Sequence, residues 1–353
     1  MELILSILVI SHNQKELLRR CITSLLQQQI SYPYEIIISD DRSTDGTWNL
    51  IEDFQKQYPQ LICGYKCNSN ECNPVNLSER CGWNKANAYR HSKGKYFVNI
   101  DADDYLRSDD IYQKQIDLLE SHPDCSMCQQ RVCQVKDGVS TEQGFYWPSA
   151  EGLTTGSILT PLDIILKGLR GLNQSYMIRR NPHLDVVSLY GKHFDDTIIT
   201  LHHLQFGNVV FLDRADYVWV QYIKSINSSL KSMDREVVIG LLPIHHILFV
   251  PKFAGLFMKD GLRDLVHLWK LSPKSSQLSE GTLKFLEQFD GFIFGYFSTS
   301  KHSICDQIRF LLVRVLSLFI NKFNVTYLYR ILYALIVNKS SVRNINKLQW
   351  RII

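Results

Sequence analysis

No run of this 353-residue chain reaches the ~18 uninterrupted apolar residues that a membrane-spanning helix requires. The opening stretch, MELILSILVISHN, has no basic lead segment, carries an acid at Glu2 and offers no small-residue cleavage site. It is therefore read as a first strand rather than an export signal. No repeat or low-complexity tract occurs, which excludes repeat architectures. Net charge is only +4, too mild to imply a nucleic-acid partner. The nine cysteines are an odd count without an export signal, so they are read as reduced thiols in the cytosol.

Hydrophobic residues at 45% and charged ones at 21% are ordinary globular values, and the length suffices for a real core. Apolar runs at 3–10 (LILSILVI) and 35–39 (EIIIS) have the character of strands buried on both faces. Further strands are expected at 61–67, 95–100 and 125–135. Helices are expected over 14–29, 43–59, 82–92 and 109–124, with Gly94 ending the third. Strands alternating with helices predict an α/β fold, a Rossmann-like, mainly parallel sheet with helices on both faces.

In such sheets ligands sit beyond the carboxyl ends of the strands. Three polar segments fall there: SHN at 11–13, SDD at 39–41 and DADD at 101–104. Asp101 and Asp103, two positions apart, can point the same way and bind a hard cation, Mn2+ or Mg2+, that also takes phosphate oxygens. An acidic turn capping the next helix is the plainer alternative, and it is the preferred account of Asp109 and Asp110. A carboxylate at Asp40 or Asp41 can accept the N–H of a nucleotide base, and His12 can offer a flat face to stack on.

The ordered series SILVISHN, EIIISDDRSTDGT and SKGKYFVNIDADDYL resembles glycosyltransferase family 2, the inverting nucleotide-sugar enzymes of GT-A fold. The likeness covers roughly residues 3–130. It implies that Asp41 contacts the base, with Asp40 and His12 beside it. Asp101 would lie near ribose and diphosphate, Asp103 would hold the metal and Asp104 would lie near the donor sugar. A UDP-sugar is the donor that the resemblance favours. The chain departs from the pattern with His12 in place of Tyr and Arg42 in place of Gly. Lys85-Ala86-Asn87 stands in place of Ala-Arg-Asn, so a phosphate-facing Arg is missing, and Lys85 or Arg90 is offered as its substitute.

The family's general base opens a helix after the acceptor region, and FDDTIITLHHLQFGN supplies it as Asp196, with Asp195 as the first acid. An ordinary acidic helix start is the alternative. A short strand, VVFL, is expected after Gly207. Gln174 and Arg179, in GLNQSYMIRRN, fall on the acceptor side. In YVWVQYIKSINSS, Ile223 stands where the family has Arg, and Lys224 is offered as its substitute.

The expected organisation is a GT-A catalytic domain at 1–230, with a nucleotide-sugar half at 1–130 and an acceptor half at 131–230, then a helical, basic region at 231–353. From Lys301 onward nine Lys/Arg face one acid, Asp306. This tail either lies on anionic lipid or caps the protein. The acceptor expected is a glycan or a lipid-linked chain in surface polysaccharide synthesis. The location expected is cytoplasmic, with peripheral attachment to the inner face of the cell membrane if the tail binds lipid. Two rivals remain. One is a non-catalytic sugar-nucleotide or glycan-binding module. The other is a nucleotidyltransferase, which would need a Gly-rich basic loop that SHNQKE lacks. A zinc site at Cys125, Cys128 and Cys133 is set aside, because the alternation of a strand separates the first two.

Overall fold

The β1 strand (Leu5–Ser11) is buried at all seven positions, as its apolar run predicts. It is the axis of a computed structural model that describes residues 2–72, 77–136, 139–146, 152–166, 173–192 and 197–221. Met1–Ser228 forms one compact unit. The helical region expected at 231–353, Lys224 and the basic tail lie outside the described residues.

After β1 come α1 (Lys15–Leu26), β2 (Tyr34–Asp41), α2 (Thr47–Gln57), β3 (Ile62–Cys67), α3 (Leu77–His91) and β4 (Tyr96–Asp101). Then follow β5 (Tyr105–Leu106), α4 (Ile111–Ser121), β6 (Cys125–Lys136), β7 (Val139–Tyr146), β8 (Ile158–Leu159) and α5 (Pro161–Leu166). The described chain closes with β9 (Tyr176–Arg179), α6 (Val186–Lys192), α7 (Thr197–His203) and β10 (Asn208–Gln221).

The strands form one sheet in the order β3-β2-β1-β4-β9-β6-β10-β5, with β7 on β6 and β8 on β10. The β3-β2-β1-β4 half is parallel throughout. Beyond it the sheet is mixed: β9 runs antiparallel to both β4 and β6, while β6 and β10 pair in parallel. The expected parallel sheet is therefore the nucleotide-side half. Four strands were not anticipated. β5 and β8 have two residues each, too few to show a period. β10 runs well past VVFL, because the polar run 213–216 conceals its continuation, and a register shift falls between Leu212 and Tyr217.

Leu5, Ile7 and Val9 pack with Leu18, Cys21, Ile22 and Leu25 of α1, and with Ile36 and Ile38 of β2, in one continuous core. Burying each such aliphatic side chain is worth about 1.5–3 kcal/mol. On the opposite face Tyr89 of α3 meets Phe97 edge-on at 5.0 Å and Tyr190 of α6 at 6.5 Å. Helices thus cover both faces. Gly94 has a stricter duty than ending α3. A Cβ there would stand 2.5 Å from the Ser6 backbone nitrogen, so only glycine lets this loop lie against β1.

Candidate active site

In the strand register Ser11 pairs with Asp40, and Ile10 pairs with Asp101. The carboxyl ends of β2, β1 and β4 therefore finish level, and SHN, SDD and DADD share one edge of the sheet. Side chains lace the first two together. Ser11 Oγ donates to Asp40 Oδ1 at 2.9 Å, and the Ser43 amide donates to Asp40 Oδ2 at 3.1 Å. Asn13 and Arg42 adopt left-handed backbone, with φ of 54° and 59°. The Thr44 amide donates to Asn13 Oδ1 at 2.7 Å, and Asp45 accepts the amides of Lys15 and Thr47. Asn84 of α3 donates to the Ser11 carbonyl at 3.1 Å and accepts from Ser39 Oγ at 2.6 Å. The buried Asp40 is thus an organiser of the turn.

Asp41 is buried and holds four donors. Arg42 Nε and the Ser69 amide donate to Oδ1 at 3.0 and 3.2 Å; Ser69 Oγ and the Arg80 guanidinium donate to Oδ2, both at 2.8 Å. Burial alone would raise its pKa, yet these donors hold it at about 2. Each of its two oxygens thus already accepts two hydrogen bonds. His12 is exposed, and its Nδ1 lies 2.5 Å from the Asp41 carbonyl oxygen, which fixes the ring beside this cluster.

At the end of β4, Asp101 Oδ2 accepts from Gln174 Nε2 at 2.8 Å. Its Oδ1 is buried without a hydrogen-bond partner, although the Lys85 ammonium, itself 4% exposed, stands 3.8 Å away. That separation gives Coulomb attraction but no hydrogen bond. Burial and the Asp101 charge push the Asp103 carboxyl up to about 6, against the pull of Arg20 and Lys85. Arg20 donates to the Asp103 carbonyl and stacks on Tyr105. This is an acid pair short of positive charge.

Two expected site residues are placed elsewhere. Asp104 points into the protein: it is 1% exposed, accepts from Tyr217 Oη, and accepts the Val220 amide at 2.9 Å. Burial and the charges of Asp103 and Asp101 raise its pKa well above the usual carboxylate range. Asp104 therefore joins β10 to the turn and is not open to a donor sugar. Arg179 pairs with Tyr96 in the register, at the opposite end of β4 from Asp101. It donates to the carbonyls of Cys125 and Leu119 and to Tyr96 Oη, at 3.1, 2.7 and 3.0 Å. It clamps the start of β4 to α4 and β6, at the far end of that strand from Asp101. Asp195 and Asp196 lie outside the described residues.

Sequence reasoning missed Arg80 and Arg20. Arg80 lies five positions before Lys85, where the missing Arg was sought, and only the fold of α3 onto Asp41 reveals it. Nothing in the pattern of α1 singles out Arg20. Among the described residues no group of three or more His, Cys, Asp or Glu side chains is placed to hold a metal ion. Cys125 and Cys128 lie in the hydrophobic core.

Comparison with known proteins bears on this edge. The glycosyl transferase family 2 model matches residues 6–177. An uncharacterized Mycobacterium tuberculosis protein is 30% identical over 124 residues, 35% of this chain and 34% of that protein. The UDP-Glc:alpha-D-GlcNAc-diphosphoundecaprenol beta-1,3-glucosyltransferase WfaP of Escherichia coli is 32% identical over 121 residues, 34% of this chain and 43% of that enzyme. The match thus spans between a third and a little over two fifths of the length of these relatives. Among solved structures, residues 1–349 of S. aureus TarS in complex with UDP-GlcNAc superpose with a TM-score of 0.55 at 17% identity. That match covers 83% of this chain and 82% of TarS 1–349, and it shows a shared fold.

Proposed function

Since the chain belongs to glycosyl transferase family 2 through residues 6–177, we propose that it transfers a sugar from a nucleoside-diphosphate sugar to a hydroxyl of a glycan or lipid-linked acceptor in surface polysaccharide synthesis. The observation that carries this reading is the Asp101–Asp103 pair, with its unpartnered buried oxygen and its shortage of positive charge, at the level carboxyl ends of parallel strands. Such a pair suits Mn2+ or Mg2+, which takes few protein oxygens and completes its shell from water and phosphate. Asp101 and Asp103 would hold the ion, which would supply positive charge beside the departing diphosphate.

The chain's own residues supply the rest. Lys85 and Arg20 add fixed positive charge in a buried setting, where it acts more strongly than in water. Gln174 fixes Asp101 by its amide hydrogen bond. Asp41 holds Arg80 and Ser69 in place for the nucleotide. Arg42, at 36% the most exposed of its charged partners, is the donor that a base N–H replaces. His12 stacks on the base. In an inverting displacement the acceptor oxygen forms its bond to the anomeric carbon as the bond to the diphosphate oxygen breaks. Asp196 takes the hydroxyl proton, with Asp195 beside it. In this reading 1–230 is catalytic. The 301–353 tail, with nine cations against one acid, lies on the inner face of the cell membrane. No helix of the described residues is long and apolar enough to cross one.

The test is calorimetric titration with UDP, with and without Mn2+, followed by turnover of UDP-sugars. Asp103→Ala should abolish the Mn2+-dependent part of binding and transfer. Asp196→Asn should keep binding and lose transfer. Mn2+-dependent turnover that survives in Asp103→Ala refutes the assignment.

A further inference from the structure

The turn that carries the acid pair is fastened to a strand far along the chain. The Ala102 amide donates to the Ile10 carbonyl at 3.0 Å, and the Asp104 amide closes the turn on the Asp101 carbonyl at 2.9 Å. The side chains of 101–104 then divide. Asp101 and Asp103 stay half-buried at the sheet edge, while Ala102 and Asp104 turn into the protein. There the Asp104 carboxylate meets β10, accepting from Tyr217 Oη and from the Val220 amide. The neighbouring backbone is tied as well. Tyr105 and Leu106 of β5 pair antiparallel with Val218 and Tyr217. The Arg107 amide donates to the Asp216 carbonyl at 2.9 Å, and its guanidinium donates to the Ala215 carbonyl at 2.6 Å.

Two features show that this latch does more than fill the core. Burying a carboxylate costs more than burying an apolar side chain, and its hydrogen bonds must offset that cost. What a carboxylate with two donors adds is direction. The second feature is the register shift in β10. Leu212 pairs with Gln130 of β6 and Tyr217 with Val132, so five steps along β10 match two along β6. In an unbroken strand, residues five apart point to opposite faces. Here Leu212 and Tyr217 both lie in the one core that also holds Ala102. The irregularity thus turns Tyr217 to the face where Asp104 waits, which is the use that bulges commonly serve beside active sites. Asp103 stands between the two fastened points, Ala102 on β1 and Asp104 on β10, and Arg20 holds its carbonyl.

We propose that Tyr217 is a positioning residue for the metal: through Asp104 it holds the turn so that the Asp101 and Asp103 carboxylates grip one Mn2+ or Mg2+ ion. The inference rests on the transferase reading for that ion. It adds a residue that touches neither metal nor substrate and lies 113 positions from the aspartate it holds. Coupling of this kind is reciprocal, so an ion that steadies the turn also steadies the hydrogen bond from the Val220 amide.

The experiment titrates the full chain with MnCl2 alone and with UDP alone, by calorimetry. Tyr217→Phe removes one hydroxyl and keeps the ring in its packing. It should weaken Mn2+ binding about tenfold, the lower end of what loss of an outer-shell partner costs a metal site. Metal-free UDP affinity should stay within twofold. Asp104→Asn, with one acceptor oxygen for two donors, should weaken Mn2+ at least as much. Arg179→Ala is the control, because it loosens the opposite end of β4; it should keep Mn2+ affinity within twofold. Hydrogen exchange of the Val220 amide needs no variant: Mn2+ should slow it in the wild type, and slow it less than half as much in Tyr217→Phe. Mn2+ affinity within twofold of wild type in both latch variants overturns the proposal. An equal loss in Arg179→Ala, or a loss of UDP affinity as large as that of Mn2+, marks general loosening and overturns it too. Wild-type Val220 exchange that Mn2+ leaves unchanged does the same. Wild-type protein that binds no Mn2+ refutes the metal pair itself and takes this inference with it, so the wild-type titration tells the two failures apart.

Discussion

Replacing Asp41 with Asn tests how tightly the end of β2 is wired. The carboxylate holds Arg42, Arg80 and both donors of Ser69, and its pKa falls from 3.8 to about 2. A difference of nearly two pH units is worth about 2.5 kcal/mol, at ~1.4 kcal/mol per unit. The pKa is depressed in the folded state, so this contribution is complete above pH 3.8 and is lost as pH falls toward 2. Asn keeps the shape but not the charge, and its amide presents one acceptor oxygen instead of two. Arg80 and Arg42 are 24% and 36% exposed, so water can partly rehydrate them after the change. The expected destabilisation at pH 7 is therefore about 2 kcal/mol, below the ~3–5 of a fully buried pair. Urea unfolding followed by tryptophan fluorescence suits the measurement, since Trp48 and Trp83 flank this region. The gap between wild type and variant should shrink as pH is lowered through 3.8. A gap under about 0.5 kcal/mol at pH 7, or one that does not change with pH, would refute the reasoning.

Other outcomes follow from the same geometry. The Asp103 carboxyl is pushed up to about 6, and a metal needs it ionised. Mn2+ affinity should fall about tenfold per pH unit below 6 and level off above it; flat Mn2+ titrations from pH 5 to 7.5 would contradict this. Without metal, the same raised pKa means that the stability from Asp103 is present below 3.8 and lost as pH rises through 6. Arg179→Ala should cost about 2–4 kcal/mol in denaturant unfolding, because it strands the carbonyls of Cys125 and Leu119. Its KM for acceptor should not move; a raised acceptor KM with unchanged stability would return Arg179 to the acceptor side. Gly94→Ala should destabilise by about 2 kcal/mol or more through backbone collision with Ser6, and an unchanged Tm would show that the loop can yield.

The parallel half of the sheet was legible because each of its strands is long, apolar and bounded by turn chemistry. The strand-end acids were legible for the same reason, since a carboxylate directly after a buried strand is conspicuous. Asp104 misled because spacing along a turn does not say which side chain folds inward. Its partner, Tyr217, is 113 residues away. Arg179 was placed by resemblance, and only the fold shows that β9 runs antiparallel to β4 and carries the guanidinium to the far end of that strand from Asp101. The two-residue strands left no period to read.

By itself the sequence determined the α/β alternation, the resemblance to glycosyltransferase family 2 over roughly residues 3–130 and the choice of Asp101 and Asp103 as residues to test. These depend on local patterns: hydrophobic period, turn residues and short motifs. Only the tertiary structure decided that Asp41 is already filled by Arg42, Arg80 and Ser69, that Lys85 stands beside Asp101, and that Tyr217 closes on Asp104. Those facts depend on which distant side chains share a volume of a few ångströms, and charge neutralisation in a buried site is set by that distance rather than by position along the chain.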